Sequence, residues 1–400
     1  MLTKKLQSAP NKEPIMSLPT ETATDLHNAD AAEAREYNRK RRWLSVIDAV
    51  LGFVLLVVIL VSGFTKNMRD LSIKFSRDHY ALALFIYIVL LAAILKFAAF
   101  GLDYFGFKLE HYYHLSNQRL KSWLLDEAKG FLVGIVLGTI VAELVYYTIR
   151  SSHQHWWLYA WLAFIVLVVF FAQIAPVVLF PLFYRFIPLE NEELKNRLVR
   201  LGERAGTRIR GVYEWKLSEK SKKANAALTG LGATRRIILS DTLLQNYSDD
   251  EIEAVLAHEL GHHVHRHIFK SIIVQVAITF VGFWAAHVAL DYSVKQLQMF
   301  PDIHDFANLP LLALVSSVLS LLLLPALNAY SRHNERQADM YCWKSVPKVE
   351  PFVTAMRKLT QQNLSEQNPS RLVEVLFHSH PAVSKRITAA ETFASAARQT

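Results

Sequence analysis

Apolar and polar positions separate along this chain into long blocks. Six runs, 43–65, 80–100, 131–147, 156–176, 272–290 and 309–329, are apolar and long enough to cross a bilayer as helices. The fourth stays apolar as far as Phe183, and Pro176 and Pro181 predict a kink or an end there. Between the fourth and fifth runs the pattern changes over 185–268. There 211-GVYEWKL-217 and 235-RRIILS-240 read as short strands, and 224-ANAALTG-230 as an extended stretch closed by Gly230 and Gly232. The expected architecture is a mainly α, multi-pass membrane protein. Residues 1–42 form a polar, largely disordered tail, 43–184 hold four spans, and 185–400 combine a small β-sheet with two further spans.

Composition supports this picture: 52% of the 400 residues are hydrophobic, with a mean hydropathy of +0.18. The formal charge is +9. The basic residues sit beside apolar runs, as in 39-RKRRW-43, which points to membrane topology; no nucleic-acid-binding motif is present. The basic run places the N-terminus in the cytoplasm, and six spans return the C-terminus to that side. The loops 149–155 and 291–306 carry one basic residue each, as suits the outer face, whereas 66–77 carries four and runs against the assignment. The first 30 residues lack the apolar middle of a signal peptide. Cys342 is the single cysteine, so any metal must use His, Asp or Glu. Within the spans, Lys96, Glu143 and Gln173 either face a hydrated interior, snorkel, or take an interhelical hydrogen bond.

The chemistry concentrates in 257-AHELGHHVHRH-267. Ser248 followed by Glu251 is a capping box, with Tyr247 and Ile252 as its hydrophobic staple, so a helix starts at 248. On it His258 and His262 share one face, the geometry for holding one Zn²⁺, and Glu259 flanks the metal as a general base. His263 faces away, His265 is a weak ligand candidate, and His267 supports the ligands or the fold. A catalytic zinc site needs a third protein ligand. Two spans later the chain returns at 331-SRHNERQADMYCW-343, where Glu335 and Asp339 lie one turn apart. Glu335 can bind the metal and Asp339 can fix a ligand histidine, the glutamate-zincin pattern. His333 is the rival third ligand.

Together 258-HELGH-262, 334-NERQAD-339 and 378-HSHPAVSKRI-387 resemble the CAAX prenyl protease 1 family of integral-membrane zinc metalloendopeptidases. The resemblance includes 110-EHYYHLSNQRLKSW-123, 219-EKSKKANAALTGLGATRRIILSDTLL-244 and His267, and covers roughly 100–395. It implies a gluzincin-type domain with one Zn²⁺ on His258, His262 and Glu335, and Glu259 as base. It also implies His380 near the reacting carbonyl, Arg386 supporting the site, and Asn225 and Ala226 on an edge strand that binds extended substrate. The implied partners are the lipid bilayer and peptide or protein substrates, membrane-associated or lipid-modified ones included, with no nucleic acid.

No long acidic insertion precedes the zinc helix, and no further N-terminal span is seen. This compact form resembles bacterial relatives and an inner membrane more than an endoplasmic reticulum. A quality-control or regulatory endopeptidase then competes with CAAX processing. The rival readings are a heat-shock protease of the HtpX type, which has fewer spans before the zinc helix, and a non-catalytic membrane metal-binding protein.

Overall fold

The computed structural model describes residues 23–230 and 235–398; residues 1–22 and Gly232 lie outside them. The first half is helical: α1 (Ala23–Val61), α2 (Phe64–Ser76), α3 (Tyr80–Tyr112), α4 (Leu120–Ser151) and α5 (Trp156–Ile174). A π-helical turn at Ala175–Leu179 joins α5 to α6 (Phe180–Phe183), the kink that Pro176 and Pro181 impose. Strand β1 (Phe186–Pro188) opens the second half. It is followed by α7 (Glu192–Arg204), β2 (Gly211–Trp215), β3 (Ala226–Thr229), β4 (Arg236–Ser240), α8 (Asp241–Asn246) and α9 (Asp249–Val264). Then come α10 (His267–Lys295), α11 (Leu309–Ser345), α12 (Glu350–Gln362), α13 (Arg371–Phe377) and α14 (Val383–Ala397).

Among the described residues six helical segments are long and apolar enough to cross a membrane, and each contains or overlaps one of the expected runs. Large apolar side chains such as Phe97, Val166, Leu321 and Leu322 are exposed on them. Lipid, not water, is the solvent such a surface suits. The interior of the bundle is packed by Tyr87, Tyr146, Trp156, Leu290 and Phe306. A second core, built from Leu198, Ile237, Leu239, Leu256, Leu260 and Phe352, fills the domain that carries the sheet. Helices α10 and α11 contribute to the bundle at the ends that meet in their connection and reach that domain at their opposite ends.

Three sequence expectations change. The tail assigned to 1–42 is helical from Ala23. Tyr37 is buried and donates to Glu110 (2.5 Å), Asn38 donates to the Leu364 carbonyl (2.6 Å), and Arg42 pairs with Glu366 (2.5 Å), so tertiary contacts order this polar stretch. The basic segment 66–77 is mostly the helix α2, whose Arg69 pairs with Asp305. That ion pair offsets part of the charge that counted against an outer position. Strand β1 was not expected; it is three residues long and ends on Pro188.

The sheet order is β1-β2-β4-β3, with β2 parallel to β4 and both outer pairs antiparallel. Strand β3 is therefore an edge. It begins one residue after Asn225, whose carbonyl accepts from Ser240 N–H (2.9 Å). Lys96 makes an interhelical ion pair with Glu127 (2.5 Å) besides one with Asp103 (2.6 Å). Glu143 Oε1 is buried without a hydrogen bond.

Candidate active site

Helix α9 is fixed at its start by the capping box. Ser248 Oγ accepts from Glu251 N–H (3.3 Å), and the Glu251 carboxylate accepts from Ser248 N–H (2.8 Å). Ile252, Leu256 and Leu260 are buried along it. One turn apart on this helix, the His258 and His262 rings bring their Nε2 atoms to 3.3 Å. Helix α11 packs across α9 and delivers Glu335. Its Oε2 is 3.3 Å from His258 Nε2, and its Oε1 is 3.3 Å from His262 Nε2.

Those separations test whether a metal fits. Donors held tetrahedrally at about 2.0–2.1 Å from one zinc ion stand about 3.3–3.4 Å from each other. The histidine pair meets that requirement, and each histidine has one Glu335 oxygen at that distance, Oε2 for His258 and Oε1 for His262, with one donor atom from each residue lying within 4.8 Å of the others. Glu335 Oε2 is buried without a hydrogen bond, although His258 Nε2 (3.3 Å) and His380 Nδ1 (2.8 Å) stand beside it. A cation held between the three side chains would satisfy this oxygen, so the donor set suits a divalent zinc-type ion.

The crossing depends on Gly261. A Cβ there would sit 2.8 Å from Ala338 Cα and 2.9 Å from its carbonyl oxygen, both backbone atoms that cannot swing away. Gly261→Ala is expected to force the helices apart at a cost of about 1–3 kcal/mol. Thermal unfolding of the two proteins in one detergent measures this; an unchanged midpoint would show that the contact yields freely.

Both histidines are oriented from behind. Asp339 Oδ1 lies 2.8 Å from His258 Nδ1 and is itself gripped by Arg386 through Nη2 (2.6 Å) and, at Oδ2, through Nε (2.8 Å). His258 therefore points Nε2 at the other donors. Burial opposes protonation of His258, but the neighbouring carboxylates of Asp339 and Glu335 outweigh it and push its pKa up to about 9. A metal must expel that proton, so uptake is favoured as pH rises. His262 is held by His267. Gln337 Oε1 only accepts, so His267 Nε2–H donates to it (2.9 Å). His267 Nδ1 then accepts the Nδ1–H of His262 (3.0 Å), which leaves His262 Nε2 bare.

Most of the residues singled out from sequence converge here. Glu259 is half-buried and lines two clefts that meet at the histidines, as does exposed His380. One cleft, about 660 Å³, runs from the site between α5 and α10 past Phe164, Ile272 and Gln275. The other, about 430 Å³, is more polar and is bordered by Arg41, Lys223, Asn225, Ala226 and Glu366. His333 is exposed and lies in neither the donor cluster nor the clefts. His263 turns to Arg235 (3.2 Å), and His265 stacks on His267. Sequence reasoning missed Gln337, and it missed Lys223, which pairs with Glu110 (2.8 Å) at the wall of the polar cleft.

A six-span helical scaffold whose sheet-bearing domain presents this donor set defines a multi-pass membrane metalloprotease. The profile of peptidase family M48 matches residues 188–394, and that of the CAAX prenyl protease N-terminal region, described as five membrane helices, matches 12–185. The chain belongs to peptidase family M48, in its CAAX prenyl protease 1-type branch. In this chain four span-length helices and the short α2 lie within the N-terminal match. An uncharacterized metalloprotease of Bacillus subtilis is 31% identical over 95% of this chain and 89% of its own length. CAAX prenyl protease 1 of Saccharomyces cerevisiae is 28% identical over 75% of this chain and 70% of its own. The crystal structure of Ste24p from S. mikatae superposes with a TM-score of 0.79 at 25% identity, covering 90% of this chain and 88% of that one. These matches overturn the non-enzymatic reading and favour this branch over the heat-shock type.

Proposed function

We propose that this chain is a zinc-dependent endopeptidase that cuts peptide bonds where the membrane meets the cytoplasm. His258, His262 and Glu335 hold the ion, and Glu259 is the base. The observation that carries the reading is the convergence of the two Nε2 atoms, 3.3 Å apart, on the Glu335 carboxylate, whose oxygens lie 3.3 Å from one histidine each. Bound there, zinc would acidify a water and polarise the scissile carbonyl. Glu259 takes the proton of the attacking water and returns it to the leaving amine. His380, at the junction of the clefts, donates to the developing oxyanion, a contribution of about 2.7–4 kcal/mol in comparable sites. Asp339 and Arg386 keep His258 in its binding tautomer. Strand β3, entered through Asn225 and Ala226, offers its free edge to an extended substrate. The apolar cleft then takes a membrane-embedded or lipid-modified part of that substrate, and the polar cleft the rest.

Chelation is expected to abolish cleavage of a casein-type substrate, and stoichiometric Zn²⁺ to restore it. Cleavage that survives complete removal of metal would exclude this mechanism. His267→Ala is expected to weaken zinc binding about 10–100-fold, the usual effect of removing an outer partner of a ligand histidine. His265→Ala should leave it unchanged, and competition with a fluorescent chelator reads both.

On substrate, the yeast relative's name points to CAAX processing. The compact form, shared with the Bacillus relative across nearly its whole length, favours membrane quality control or regulation in a bacterial inner membrane. Proteins that accumulate uncleaved in membranes carrying Glu259→Gln decide between the two. We assign both termini and the site to the cytoplasmic side.

A further inference from the structure

A second set of metal-binding side chains lies at the other end of the bundle. His153 belongs to the turn between α4 and α5, and Asp302 and His304 to the connection between α10 and α11. The histidine ring nitrogens and the Asp302 carboxylate provide one donor each, all within 4.8 Å of one another. His304 Nδ1 is 2.7 Å and His153 Nε2 3.4 Å from Asp302 Oδ1, and the two rings meet edge to face at 5.8 Å. Glu335 is 26 residues along α11 from Leu309, so about 40 Å of helix separates this cluster from the active site.

Two features distinguish it from a chance meeting of surface charges. His304 Nδ1 is buried, yet it makes no hydrogen bond, although it faces the carboxylate. The segment that carries it is also held rigidly. Its own N–H donates to Asp302 Oδ1 (3.1 Å), and its carbonyl accepts from Tyr80 Oη–H (2.8 Å). Just beyond, Asp305 pairs with Arg69, the Ala307 carbonyl accepts from Thr65 (2.5 Å), and Asn308 Oδ1 accepts from Tyr146 (2.5 Å). Asp302 and His304 are thus presented on a prebuilt platform, with His153 brought to it from a different loop.

We propose that His153, Asp302 and His304 form a second, structural metal site that clips these two loops together on the face remote from catalysis. Two imidazoles and one carboxylate select a borderline transition ion of the Zn²⁺, Co²⁺ or Ni²⁺ kind; Mg²⁺ and Ca²⁺ require oxygen ligands. The ion joins α4–α5 to α10–α11, and of these helices α5, α10 and α11 also line the protease site.

The test is calorimetric titration of Zn²⁺ into the full-length, detergent-purified protein already loaded at its active site. Wild type should take up one further equivalent and unfold at a higher temperature as it does so, by mass action on the folded state. His304→Ala and His153→Ala should each lose both effects while keeping chelator-sensitive proteolysis, which shows that they fold. His155→Ala, an exposed histidine of the same turn outside the cluster, should retain both. Absence of the extra equivalent in wild type, or its persistence in His304→Ala, overturns the proposal. Loss of proteolysis on chelation with the outer equivalent intact would bear on the catalytic site alone, so the two zinc assignments fail separately.

Discussion

Glu259→Gln is expected to abolish peptide hydrolysis while the protein keeps its metal. The glutamate is half-buried, opens onto both clefts, and stands outside the donor cluster. Glutamine matches its size and leaves His258, His262 and Glu335 undisturbed, but it cannot take a proton from water. General-base catalysis supplies about 10²–10⁴-fold in rate, so turnover should fall at least that far. Metal analysis and a cleavage assay on one preparation check both halves. A variant that cuts at the wild-type rate removes Glu259 from the mechanism; one that is inactive because it has lost its metal makes Glu259 part of the metal site instead.

Glu335→Ala should have the opposite signature, with metal lost first and activity with it. Glu335 is buried and supplies two of the three donor-to-donor contacts, so without it two histidines from one helix remain. The drop in zinc affinity should exceed the about 10–100-fold expected for removing an outer partner. His333→Ala is the matched control, because His333 is exposed and outside the cluster. Zinc that stays stoichiometric in Glu335→Ala but disappears in His333→Ala would exchange their roles.

Much of this site is legible in the amino-acid sequence. The i, i+4 spacing of His258 and His262, and of Glu335 and Asp339, is a property of helical geometry. The apolar runs then dictate that the second pair returns to the side of the first. What stays hidden in the sequence has physical causes. Span helices outrun their apolar runs because a helix need not end where the bilayer does, so α1 and α11 carry polar turns beyond those runs. Residues 31–42 read as tail because Tyr37 finds Glu110 only across 73 positions. His267 and Gln337 are 70 positions apart, and nothing local in either predicts that they meet. Strand β1 is too short to show a period.

The path of α11 also bears on how such an enzyme can be taken apart. One unbroken helix, Leu309–Ser345, begins at the connection from α10 and ends beyond Glu335. On the proposed assignment the stretch 185–268, polar in composition and carrying both histidines and Glu259, is therefore not a portable catalytic unit. Excised and expressed alone it lacks Glu335, the proposed third ligand, which reaches it only through a hydrophobic hairpin. Truncations that seek a soluble protease from this chain are expected to yield a protein that cannot hold the proposed metal, and recombination of this half with another membrane anchor must bring α10 and α11 along.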